Sequence, residues 1–173
     1  MHNSKIKWIT QTALMLALLI VLQTLTKPLG QIVTGSCVNA VLAVSVLMAG
    51  LYSGLSVALL SPFFAFLLGI GHQLFLISPA IAVGNCVLVL VLYLICNKEF
   101  SISRGVLACG AAAAAKFIAL NLLVVQVICK SIALPEKQIT LFSTMFSYPQ
   151  LITALIGCAI AMLIVPRLKK VIA

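Results

Sequence analysis

From Trp8 to Leu25 the chain runs eighteen residues without one charged side chain, and stretches of the same character recur as far as Val165. Such a run matches the roughly 20 residues with which an α-helix crosses a bilayer. Composition agrees: 64% of the 173 residues are hydrophobic and 8% are charged, against about 45–50% and about 25% in water-soluble domains. A core of this size cannot hide that much apolar surface, so the solvent is lipid. Six spans of about 20 residues use about 120 positions, which leaves tails and loops but no second domain. The expected architecture is an all-α integral membrane protein, a single transmembrane domain over 1–173 with six transmembrane helices at about 6–26, 37–50, 55–70, 79–96, 104–129 and 149–166.

Helix breakers set those boundaries. Lys27-Pro28-Leu29-Gly30 ends the first span and opens a loop through Gln31, Thr34, Gly35 and Ser36. Tyr52-Ser53-Gly54 reads as a tight turn between the second and third spans. Ser78-Pro79 supplies an N-cap and a first-turn proline for the fourth. Pro149 opens the sixth span and Pro166 ends it, after a long segment, Lys130 to Ser147, that holds the amphipathic stretch Ile139–Phe146. Lys5 and Lys7 precede the first span, but that span is longer than a signal-peptide core and no small-x-small cleavage site follows.

Eleven Lys and Arg against two acids give a formal charge of +9. The cations sit in short clusters beside apolar runs and have no aromatic interleaving, so nucleic acid is not a partner. With six spans, Lys5, Lys7, Lys98, Arg104, Arg167, Lys169 and Lys170 share one side, while Lys27, Lys130 and Lys137 lie on the other. The positive-inside rule then places both termini in the cytoplasm. The longer loops fall outside, where binding work concentrates.

Absences narrow the function. Both acids, Glu99 and Glu136, fall in loops, so no intramembrane carboxylate can relay a proton. The two histidines are far apart and the six cysteines are scattered without a CxxC, which reads as buried apolar packing and calls for no metal or cofactor. Met1-His2 resembles the start of nickel and cobalt uptake proteins, but nothing else of that pattern follows. Neither a GxxxxGK[ST] phosphate loop nor a Gly-x-Ser-x-Gly elbow occurs. The chain is expected to be no enzyme, and any uphill transport must draw its energy from a partner.

Lys116 stands out. It lies near the middle of the fifth span, after Ala111 to Ala115. A lysine at the bilayer centre costs ~2.5–3.5 kcal/mol on insertion scales. Its stem reaches about 6 Å against about 15 Å of half-core, so snorkelling is partial. Lys116 is therefore a candidate counter-charge for an anionic or carbonyl-rich ligand, the alternative being a lysine satisfied by helix-end carbonyls or water. Asn39, Asn85, Asn121 and Gln126 fall at the same outer level, joined by Tyr148, Gln150 and Thr153 at the start of the sixth span. Each alone reads as interhelical glue, while together they suggest a polar pocket opening outward. Asn121 is ~140° around the helix from Lys116 at 100° per residue. His72 and Gln73 could touch a ligand at the mouth, though solvated loop residues read the same way.

The sequence resembles the substrate-binding S components of energy-coupling factor (ECF) transporters. The resemblance rests on the size, on Ala13-Leu14-Met15-Leu16-Ala17 as the Ala-x-x-x-Ala stripe of the first helix, on Val33-Thr34-Gly35-Ser36-Cys37-Val38-Asn39-Ala40 running into Gly50-Leu51-Tyr52-Ser53-Gly54 with Ser61-Pro62 beyond, and on Pro79-Ala80-Ile81-Ala82-Val83-Gly84-Asn85. It implies a multi-pass protein of a bacterial plasma membrane that binds a micronutrient outside. Such a subunit joins a transmembrane T component and two ATPases, and topples to release substrate inside. By that analogy Ala13 and Ala17 dock the T component. Gln31, Thr34, Asn39, Asn85, Lys116, Asn121, Tyr148 and Gln150 become substrate-binding candidates, with the first loop (Gly30, Gly35) as a lid. The lack of intramembrane acids disfavours a cationic vitamin such as thiamine. A queuosine-type base, another nucleobase-like precursor, pantothenate and a flavin stay open. The competing readings are a stand-alone facilitator or channel, and a structural membrane subunit without ligand.

Overall fold

The computed structural model describes residues 2–70, 74–96 and 102–172, and among these every regular element is helical. The helices are α1 (His2–Thr26), α2 (Gln31–Ala49), α3 (Leu51–Leu67), α4 (Ile77–Cys96), α5 (Ile102–Leu120), α6 (Glu136–Met145) and α7 (Tyr148–Ile172). A short 3-10 turn, Lys27–Leu29, follows α1. The helix of α5 continues as a π-helix, Asn121–Ile128, and a last α-turn, Cys129–Ser131. Counting such continuations together, five helical stretches are long and apolar enough to cross a membrane. Leu51–Leu67, at 17 residues, is shorter. Of the polar turn expected over 97–103, residues 97–101, with Lys98 and Glu99, lie outside the described residues, as do His72 and Gln73, and Ser103 is already in α5.

Several boundaries differ from the sequence expectation. The first loop is far shorter than expected, because α2 begins at Gln31 instead of near Cys37. Gly30 makes this possible: its φ of +89° turns the chain sharply between the 3-10 turn and α2. Gly35, expected in a mobile loop, lies inside α2. The turn between α2 and α3 falls at Gly50, with φ +87°, and leaves Tyr52, Ser53 and Gly54 within α3. α7 runs on through Pro166 to Ile172. A proline removes one N–H, and long apolar helices absorb that loss where neighbours restore the freed groups.

Small residues decide how the helices pack. Between hydrocarbon-solvated helices there is little hydrophobic drive to associate, so close approach of backbones and dispersion contacts must hold them. α2 packs most extensively against α7, α4 lies against α5 and α3, and α5 also contacts α7. The centre is lined by fully buried Ala43, Ala108, Ala112, Ala113, Ala154, Cys158 and Ala161, with Leu42, Leu88, Val89 and Leu92 filling the space between them. A second cluster at one end joins Ile77, Leu120, Val124, Phe142 and Phe146. α1 is peripheral. Its buried residues are Thr12 and Leu19, and the Thr12 hydroxyl meets Ser53 Oγ at 3.0 Å to fasten it to α3.

Chain order puts the ends of α1, α3 and α5 beside the starts of α2, α4 and α7. Lys27 Nζ donates to the Gly69 carbonyl at 2.8 Å across this end. It carries Lys27, Lys130 and Lys137, whereas Lys5, Lys7, Arg104, Arg167, Lys169 and Lys170 belong to the opposite end.

Gly157 marks the tightest crossing of α2 and α7. A Cβ there would lie 2.5 Å from Asn39 Cβ and 2.7 Å from both the Ala40 nitrogen and the Ser36 carbonyl oxygen. Backbone atoms cannot step aside, so Gly157→Ala is expected to destabilise by about 1–3 kcal/mol. At Gly110 an added Cβ meets nothing within 4 Å, so Gly110→Ala should change stability by less than about 0.5 kcal/mol. Thermal unfolding of the two variants in detergent checks the contrast.

Candidate functional site

A cavity of about 690 Å³ opens at the end of the bundle where α2, α4 and α7 begin. Its walls come from α1, α2, α4, α5, α6 and α7. Asn39 and Asn85 are each eight residues into their helices, about 12 Å below the helix starts at 1.5 Å per residue. They form the polar floor with Lys116. Above them the wall is apolar, through Val38, Ile81, Leu74, Phe142 and Phe146. Gln31, Thr34, Gln150, Gln23, Gln138 and Lys27 ring the upper part.

The floor is one connected network. Lys116 is 3% exposed, and its Nζ donates to Asn39 Oδ1 at 2.6 Å and to Asn85 Oδ1 at 2.7 Å. These lengths belong to charge-assisted hydrogen bonds. The ammonium only donates, which turns both amide oxygens toward it and both amide nitrogens away. Asn39 Nδ2 then donates to Thr153 Oγ1 at 3.3 Å, and that hydroxyl donates to the Gln150 carbonyl at 3.2 Å. Three helices thus converge on one nitrogen. The lysine is held by neither an acid nor a helix end but by two neutral side-chain carbonyls.

α6 is fixed over the cavity by its own carbonyl. Gln31 Nε2 and Gln150 Nε2 both donate to the Met145 oxygen, at 2.6 and 3.2 Å. Phe142 and Phe146 are buried beneath the helix against Leu120 and Val124. Thr34 Oγ1 donates to the Thr26 and Gly30 carbonyls and so braces the α1–α2 turn at the rim.

A family model for the substrate-specific component of ECF transporters matches residues 7–168. The chain belongs to the ECF substrate-specific components. No curated protein and no solved structure matches it. It is therefore a multi-pass membrane protein and a transporter subunit. ECF substrate-specific components bind small molecules and work with a T component and ATPases.

Six of the eight residues proposed from the sequence line the cavity of this ECF subunit: Gln31, Thr34, Asn39, Asn85, Lys116 and Gln150. Asn121 and Tyr148 do not. Asn121 begins the π-helix on another face of α5, in keeping with its ~140° offset from Lys116. Tyr148 is 74% exposed and stacks on Phe117 with ring centroids 6.2 Å apart, so it pins the start of α7 to α5 from outside. Gln126 is exposed. The first loop is shorter than expected: Gly35 is in α2, where a Cβ would sit 3.0–3.2 Å from Thr153 atoms, and Gly30 and Gly35 line the cavity together with residues of α6. Sequence reasoning missed Gln23 and Gln138 at the rim and gave Lys27 only an orienting role. Gln138 had a usable signal in the amphipathic stretch beside it. Ala13 and Ala17 lie exposed on α1, pointing away from the bundle. Among the described residues no three His, Cys, Asp or Glu side chains gather as metal ligands.

The network yields a coupling prediction. Asn85→Leu leaves the buried ammonium short of an acceptor and is expected to destabilise by about 3–5 kcal/mol. Lys116→Met strands two amide oxygens. Because each variant removes the same contact, the double variant should be less destabilised than the sum by about 0.5–3 kcal/mol. Unfolding free energies of the four proteins measure the coupling, and strict additivity would contradict the contact.

Proposed function

We propose that this chain is the high-affinity substrate-binding subunit of an ATP-driven ECF importer for a vitamin or related micronutrient. The observation that carries the reading is a lysine–amide floor at the bottom of a deep, mostly apolar cavity, in a chain of this family. Such a cavity suits a small organic ligand, since a few placed polar groups among apolar walls fix orientation while burial supplies affinity. Gln31, Thr34, Asn39, Asn85, Lys116 and Gln150 contact the ligand in this reading, with Lys27, Gln23 and Gln138 at the entrance. The cavity lining contains two cations and no acid. A cationic ligand would have nothing to neutralise it there, so the ligand is neutral or anionic: a queuosine-type base, another nucleobase-like precursor, pantothenate or a flavin.

In the same reading the seven described helices give six spans, with Leu51–Leu67 as the shortest at the lower limit of about 17 residues. Both termini lie in the cytoplasm of a bacterium, by the cation asymmetry between the two ends of the bundle. The cavity then faces outward. Toppling carries the ligand inward, and ATP is hydrolysed only in the two partner ATPases. The exposed Ala13 and Ala17, four apart on α1, give the T component a flat strip for close helix packing.

Ala13→Trp and Ala17→Trp are expected to abolish co-purification with the T component and ATPases and to stop uptake. Both variants should still retain ligand, because the strip faces away from the cavity. Pull-down of the complex, alongside mass spectrometry of small molecules retained by the isolated subunit, separates the two effects. Normal assembly in both variants would remove the docking role. Thiol labelling of cysteines placed at residues 5 and 169 should occur only from the cytoplasmic side.

A further inference from the structure

Resting on the substrate-binding reading of the cavity, the geometry points to a carboxylate ligand that enters acid end first and seats its two oxygens on Lys116 Nζ and Asn85 Nδ2.

Hydrogen-bond polarity at the floor carries the argument. An ammonium has three N–H donors. Asn39 and Asn85 take two of them, and the third has no acceptor among the described residues. Accepting from Lys116 fixes the Asn85 amide with Nδ2 turned away, and that nitrogen has no hydrogen-bond partner either. Asn85 is 1% exposed, and both side chains line the cavity. The floor therefore offers two neighbouring donors, while each amide oxygen already accepts from Lys116. Asn85 lines the cavity and its Nδ2 is not sealed off from it, so a ligand in the cavity can supply the acceptor.

Charge selects among acceptor-bearing ligands. Lys116 is a buried cation whose protein partners are neutral, and the lining has no acid. A neutral carbonyl would satisfy a donor but leave the charge uncompensated. A carboxylate does both, and its paired oxygens suit a pair of neighbouring donors. Higher up, Gln31 and Gln150 each donate one N–H to the Met145 carbonyl, and their amide oxygens are acceptors. Hydroxyl or amide N–H groups at the far end of the ligand meet those oxygens. The preferred ligand is thus a small organic acid with hydrogen-bond donors remote from its carboxylate. Among the ligands kept open above, this favours the acid over the neutral heterocycles.

The test uses the isolated full-length subunit, incubated with a bacterial metabolite extract, washed, and analysed by mass spectrometry for retained compounds. Pantothenate and its neutral alcohol, pantothenol, serve as a defined pair, read by thermal shift. A retained carboxylic acid, and a shift with the acid larger than with the alcohol, are the expected results. A retained neutral or cationic compound, or a shift with pantothenol equal to that with pantothenate, overturns the carboxylate assignment and leaves the binding reading standing. Retention of nothing, with no shift from either probe, overturns the binding reading and this assignment together.

Asn85→Asp provides a second arm that does not depend on a weakened fold. The new carboxylate has the shape of the amide it replaces and gives Lys116 an internal counter-ion. The variant should unfold at a temperature no lower than the parent while binding the retained acid at least about 100-fold more weakly, since a buried charge pair then competes with the ligand. Unchanged affinity in Asn85→Asp would overturn the proposal. So would unchanged affinity in a folded Lys116→Gln.

Discussion

A single buried nitrogen organises the deep half of this protein. Lys116 sits where a free cation is costly, and the remedy is drawn from two other helices, one amide from α2 and one from α4. Those contacts require the three helices to keep a fixed level and rotation. Asn39 must also reach Thr153 on α7, so a fourth helix is tied to the same point. The close crossing at Gly157 serves this geometry, because it lets α2 and α7 approach at the very level of Asn39. In a lipid-solvated bundle, where hydrophobic drive between helices is weak, such directional contacts carry much of the specificity of packing.

The two halves of the cavity are held by different physics. Below, the walls belong to long helices packed through alanine and glycine, and the polar groups there are locked by one another. Above, one wall is a ten-residue helix fastened at one carbonyl and by two buried rings. The floor is thus tied to four helices at once, whereas α6 depends on local contacts.

Much of this was legible in the chain because lipid leaves strong traces. Apolar runs with few charges give helices, and Asn39 and Asn85 could be placed in the outer half by counting residues from the expected helix starts, with Lys116 near the middle; Asn39 lies deeper than that count because its helix starts at Gln31. The angular offset of Asn121 was equally readable, yet Asn121 was kept among the pocket candidates, and it lies outside the cavity lining. Other features depend on contacts that counting does not reveal. Gln31 to Ser36 looked like loop because Gly30, Thr34, Gly35 and Ser36 weaken a helix locally, yet packing of Gly35 and Ser36 against α7 overrides that propensity. Tyr148 looked like a pocket residue by depth alone, and its ring turns out to Phe117. Glycines suggested mobility in the first loop, where Gly35 is in fact helical, while the amphipathic stretch Ile139–Phe146 carried the signal of a helix with one face to bury.

The short helix α6 owes its shape to its neighbours. Isolated helices below about 12–15 residues are marginal even in favourable sequences. Glu136–Met145, at ten residues, keeps its shape because Phe142 and Phe146 are held against α5 and its π-helical extension. Lifted away from α5 the segment would lose the contacts that make it helical. Docking and helicity of Glu136–Met145 are thus a single equilibrium, and the segment holds its shape only while its rings are seated.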